Sequence, residues 1–76
     1  MDNLIAILKN IRPEFEFVGV VDFFSQGMLD SFDLTVLVSE LEGRFSICID
    51  GTDIVPENFR NLEAIHSLLS KYGAEV

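Results

Sequence analysis

The stretch Gly27-Met28-Leu29-Asp30-Ser31-Phe32-Asp33, with the apolar series behind it at Leu34, Leu37, Val38, Leu41 and Phe45, decides how this chain reads. The series recurs at i, i+3, i+4, i+7 and i+11, the spacing of a helix with one buried face. Gly27 supplies a turn ahead of it. Asp30 stands where an N-cap belongs, since its carboxylate can accept one of the backbone N–H groups that a helix start leaves unpaired. Ser31 then takes the first helical position with its side chain toward water. The hydroxyl is presented, not packed.

Outward from this helix, a first helix is expected from Asp2 to Ile11, with Leu4, Ile5, Leu8 and Ile11 on one side and Lys9 and Asn10 near its end. Pro13 stops it, because the residue before a proline avoids helical geometry. Glu14 to Leu29 reads as a long loop whose Phe15, Phe17, Val18, Val20, Val21, Phe23 and Phe24 are too frequent to be wholly solvated. The alternation of Phe15 and Phe17 suggests a strand, but no pairing partner is evident, and an apolar loop crossing helix ends buries the same residues. Downstream, the serine-headed helix is expected to fray near Gly43, with Phe45 still plugging the core. Ser46 to Gly51 is an extended connection in which Ile47 and Ile49 point to one side. Cys48, between them, reads as a small buried hydrophobe. Pro56 suits the first position of a short helix over Glu57 to Phe59, where its missing N–H leaves nothing unpaired. Asn61 caps a last helix with Leu62, Ile65, Leu68, Leu69 and Tyr72 on one face, ended by Gly73. The expected fold is all-α: a small irregular four-helix bundle of three main helices and one short one.

Seventy-six residues, 49% of them hydrophobic with seven Phe and no Trp, suit one small domain in which nearly every large apolar residue is needed. Thirteen acids against five bases give a net charge of −8. Unfocused attraction to nucleic acid or to anionic lipid is therefore disfavoured, and basic protein surfaces are the natural partners. The solitary Cys48 cannot form an internal disulfide, and the apolar run near the N-terminus is broken by Lys9, Asn10 and Arg12. The expectation is a cytoplasmic monomer without membrane insertion or export signal.

The segment Phe24-Ser25-Gln26-Gly27-Met28-Leu29-Asp30-Ser31-Phe32 resembles the motif of acyl and peptidyl carrier proteins, whose core is Asp-Ser-Leu after a glycine-containing loop; Phe32 stands where Leu is commonest. The likeness extends over nearly the whole chain. It includes length, acidity, the order of elements, and the segment Asp53-Ile54-Val55-Pro56-Glu57-Asn58-Phe59. The resemblance implies one carrier domain over residues 1–76, with Ser31 as the attachment point of a 4′-phosphopantetheine arm whose thiol holds cargo as a thioester. It further implies that Asp30 and Asp33 contact basic groups on a phosphopantetheinyl transferase and on partner enzymes that activate or transfer acyl or aminoacyl groups. Ile54 would lie near the arm, or serve as one more core residue. Val36, Gly43 and Arg44 depart from the more acidic second helix typical of fatty-acid carriers, which suggests a dedicated partner set.

Other chemistry finds little support. A serine hydroxyl is a weak nucleophile without a positioned base, the one histidine, His66, lies in the last helix, and no Gly-x-Ser-x-Gly elbow exists. Ser31 is better read as a substrate, so the chain itself is not an enzyme. Asp50, Asp53 and Glu57 lack the spacing of a calcium loop. At about 100° per residue, Phe32, Val36, Ser39, Glu40 and Gly43 fall opposite the core stripe. With Asp33, the residues Phe32, Val36 and Glu40 form the expected docking surface, an apolar centre with a charged rim. Three functions remain open: an acyl carrier of a specialised lipid, polyketide or related pathway; an aminoacyl or peptidyl carrier; and an unmodified helical adaptor binding through Phe32 and Val36.

Overall fold

A computed structural model describes residues 2–74 of the chain. Three α-helices, α1 (Asp2–Ile11), α2 (Ser31–Phe45) and α3 (Leu62–Lys71), are joined by irregular segments, the second of which carries two 3₁₀ turns at Gly51–Asp53 and Pro56–Asn58. No strand forms among the described residues. The architecture is a small all-helical globule around one core. No described helix is long and apolar enough to cross a membrane.

Helix α1 buries Leu4, Ile7 and Leu8, whereas Ile5 and Ile11 are only half-buried. This corrects the expected face. On a 3.6-residue helix Ile7 lies within the stripe defined by Leu4, Leu8 and Ile11, while Ile5 stands about 100° from Leu4 at its edge. Ile11 is at the helix end, where the core runs out. One more helical hydrogen bond, Arg12 N–H to Leu8 O at 2.9 Å, anchors the Arg12 backbone to α1 before Pro13 ends the run.

The loop between α1 and α2 sorts its apolar residues sharply. Phe17 and Phe23 are fully buried and meet edge to face at 5.2 Å, an arrangement the ring quadrupole favours. Val18 and Val21 face solvent. Phe23 also organises the approach to α2: its carbonyl accepts the Met28 and Leu29 N–H groups, and its own N–H bonds the Arg60 carbonyl at 2.6 Å. The turn closes at Gly27, whose φ of 73° is natural only for glycine. Asn61 ties the same loop to α3, accepting the Ala64 N–H at 2.8 Å as N-cap and donating to the Val21 carbonyl at 2.9 Å.

Helix α2 runs past Gly43 to Phe45 instead of fraying. Its end is set at Ser46, which adopts a left-handed conformation, while the Ser46 and Ile47 N–H groups both return to the Glu42 carbonyl. That closes the last turn in the manner of a Schellman cap. The chain then extends, and Ile49 is buried with Ile47 half-buried beside it. Cys48 is exposed, not buried as expected. Alternate side chains of an extended segment point opposite ways, so placing the two isoleucines inward turns the cysteine out. The short helix expected over Glu57 to Phe59 is a single 3₁₀ turn, Pro56–Asn58, that leaves Phe59 fully buried.

Candidate functional site

The site forms where α1 ends against the start of α2. Asp30 is the N-cap in extended geometry, and its Oδ1 accepts the Asp33 N–H at 2.9 Å. Asp33 Oδ2 returns the bond to the Asp30 N–H at 3.2 Å, completing a capping box with aspartate at both positions. Ser31 and Phe32 are the two residues held between the acids, and both are exposed. The Ser31 carbonyl accepts the Thr35 hydroxyl at 3.2 Å, and the Ser31 hydroxyl stands outside the capping network. Both the cap and the outward serine match the expectation.

A third member of the site carries no signal in the sequence pattern. Arg12, just beyond α1, sends its guanidinium across to Asp33, with Nε at 2.9 Å and Nη2 at 2.8 Å from Oδ2. Nη2 also lies 3.7 Å from Asp30 Oδ2, and Nη1 bonds Glu14 Oε2 at 3.3 Å. Asp30 is held below the ordinary carboxylate range, chiefly by the Asp33 N–H and further by the Arg12 charge. The Arg12 guanidinium is pushed up, first by its hydrogen bond to Asp33.

This geometry revises the expected docking surface. The Asp33 side chain is only 7% exposed and already engaged, so it is an internal clamp residue and not a rim acid. It sits on the flank of the α2 stripe, where α1 packs, which is why Arg12 can reach it. Val36 is half-buried, not exposed as expected. Phe32 remains 75% exposed, and Glu40 is exposed as expected. Ile54, following the turn Gly51–Asp53, is half-buried against the core. That position suits either role considered for it.

A second polar cluster lies at the far end of α3. Tyr72 donates its hydroxyl proton to Asp53 Oδ2 at 2.6 Å and accepts the Asp50 N–H at 2.9 Å. Lys71 Nζ stands 2.9 Å from the same Asp53 oxygen. Asp53 is consequently held below the usual carboxylate range, first by the Tyr72 hydroxyl and then by Lys71, while Asp53 raises the Tyr72 phenol and the Lys71 ammonium. An open depression lined by Cys48, Asp50, Thr52, Asp53, Lys71 and Tyr72 adjoins this cluster. Periodicity places Tyr72 on the buried face of α3 but carries no signal for its partner 19 residues away. His66 is exposed on α3, and among the described residues no group of three or more His, Cys, Asp and Glu side chains could hold a metal ion.

Comparison of the chain with protein-family models, with curated proteins and with solved structures returns no match.

Proposed function

We propose that this chain is a carrier domain whose Ser31 receives a 4′-phosphopantetheine arm, and that its three α-helices with the turn Pro56–Asn58 constitute an irregular four-helix bundle of the acyl-carrier type. The observation that carries the reading is the exposed Ser31 at the first position of α2, behind a capped Asp30 in the Gly-Met-Leu-Asp-Ser-Phe segment. The residues present fit the group. Attachment makes a phosphodiester anion at a helix start, where unpaired N–H groups and the positive end of the helix dipole favour negative charge.

In this reading the chain has no turnover of its own. A transferase supplies the base and the metal. The Ser31 oxygen forms a new bond to the pantetheine-side phosphorus of coenzyme A, the pyrophosphate bond to that phosphorus breaks, adenosine 3′,5′-bisphosphate leaves, and the serine proton passes to the transferase base. The attached arm supplies a terminal thiol that carries cargo as a thioester. The chain's residues supply the rest: Asp30 fixes the helix start, Ile54 would border the arm or serve the core, and Phe32 with Glu40 meets partner enzymes whose basic surfaces answer the −8 charge. We assign the cargo first to acyl groups of a specialised pathway and second to aminoacyl or peptidyl groups, and the workplace to the cytoplasm, where an exposed unpaired Cys48 stays reduced.

The exposed Phe32 also favours one rival, an unmodified adaptor that binds a partner through this residue. Intact-protein mass spectrometry after incubation with coenzyme A, magnesium and a broad-specificity phosphopantetheinyl transferase separates the two. The expected outcome is one added phosphopantetheine on the native chain and none on Ser31→Ala, with unchanged helical circular dichroism. A native chain left unmodified beside a known carrier modified in parallel would reject the carrier reading in favour of the adaptor.

A further inference from the structure

We infer that Arg12 is a positioning residue for Ser31, an inference that rests on the carrier reading above. Ser31 lies between Asp30 and Asp33, and one guanidinium reaches both acids, with a 2.9 Å Nε hydrogen bond to Asp33 Oδ2, Nη2 2.8 Å from the same oxygen, and a 3.7 Å approach to Asp30. A capping box alone holds only the local helix start. Arg12 adds a tie to α1 across 21 residues, because its own N–H is bonded to the Leu8 carbonyl. The backbone carrying the hydroxyl is thereby fixed against a neighbouring helix while the side chain stays outside.

The charge balance points the same way. Any donor that places a phosphoryl group on Ser31 is anionic, and two carboxylates flank the hydroxyl. Arg12 offsets one of them at contact distance, and the Asp33 carboxylate that it meets is only 7% exposed. The arrangement needs arginine: two guanidinium nitrogens converge on one Asp33 oxygen while the third bonds Glu14, a spread that the single nitrogen of a lysine cannot span. Lys9, the cation of α1 itself, is turned to Glu16 and the Phe15 carbonyl.

The test uses the full chain without its arm, as wild type, Arg12→Gln, Arg12→Lys, Asp33→Asn, and Ile65→Val as a core control that lowers stability elsewhere. For each, kcat and KM toward the carrier are measured for phosphopantetheine transfer from coenzyme A, together with the backbone amide spectrum of Asp30 to Leu34. Arg12→Gln and Asp33→Asn are expected to lower kcat about tenfold, the ratio that loss of one charged hydrogen bond produces, with KM little changed. Their Asp30 to Leu34 amides shift; Arg12→Lys recovers part of the rate, and Ile65→Val keeps it. Wild-type kcat in both Arg12→Gln and Asp33→Asn overturns the inference. So does a loss no larger than that of Ile65→Val, or a loss confined to KM, which would make these residues docking contacts. If Arg12→Gln does not fold, Asp33→Asn decides by the same criteria. A wild-type chain that takes up no phosphopantetheine beside a modified control carrier rejects the carrier reading and this inference with it. A modified wild type with full-speed variants rejects the inference alone.

Discussion

Two clamps fasten helix ends in this small domain, and they are built from similar charges in different surroundings. Arg12, Asp30 and Asp33 join the end of α1 to the start of α2; Lys71, Tyr72 and Asp53 join the end of α3 to the turn Gly51–Asp53. In the first, the carboxylate is 7% exposed and one of its oxygens meets two guanidinium nitrogens; in the second, it is 18% exposed and its lysine is 63% exposed. Water reaches both cations, but less so Arg12, 33% exposed, than Lys71. A carboxylate left unpaired in a closed site is costly, whereas an exposed ion pair contributes little. The clamp beside Ser31 is therefore built to hold position, and the other to fasten the end of α3 to the turn Gly51–Asp53.

Loss of a buried core side chain sets the upper scale. Phe23 is fully buried and its backbone links the loop to Arg60, Met28 and Leu29, so Phe23→Ala is expected to destabilise by about 3–5 kcal/mol. For a chain of this length that is enough to leave a substantial unfolded population, visible as a lowered urea midpoint. A midpoint close to wild type would mean that the loop is not part of the cooperative core.

The next effect bears directly on the contrast. Arg12→Gln is expected to lower Tm by several degrees, because it strands the closed-in Asp33, whereas Lys71→Gln should move Tm by no more than a degree or two. Differential scanning calorimetry of the two variants reads this ratio. Equal shifts would erase the distinction between the clamps.

Smaller effects come from titration at the exposed clamp. Asp53 has a folded pKa below its unfolded value, so its contribution is full above the ordinary carboxylate range near pH 4 and is lost as pH falls through the folded value. Tyr72→Phe removes the main cause, so the acid-side fall of Tm should become shallower in this variant, in a Tm series from neutral pH downward. The alkaline side has the opposite sign. Tyr72 is raised above its ordinary value by Asp53, so its contribution is present below about pH 10 and fades as pH rises through the folded value. It is the single tyrosine of the chain, so its phenolate ultraviolet band reports one group. Asp53→Asn should bring that titration back toward the free-tyrosine range.

Features that depend on neighbouring residues are legible in the amino-acid sequence alone. The Asp30 cap, the outward Ser31, the Asn61 cap and Pro56 at the start of its turn rest on chain geometry within four positions and lie where the sequence places them, although that turn ends at Asn58, short of Phe59. The departures have a common cause. Arg12 and Asp33 are 21 residues apart, Tyr72 and Asp53 are 19 apart, and periodicity reports which face a residue occupies but not what crosses to meet it. Composition misleads at Cys48, because a small apolar residue between two isoleucines looks buried until the extended backbone alternates it outward.

The amino-acid sequence by itself thus determined an acidic, all-helical chain with a serine offered at the head of its central helix, since helix periodicity and capping are local properties. Only the tertiary structure decided that Asp33 is an internal anchor, that Phe32 and not Val36 is the exposed apolar group, and that Phe17 and Phe23 enter the core while Val18 and Val21 do not. Those choices follow from which surfaces meet when helices pack, and burial and charge pairing across long separations exist only once they have met.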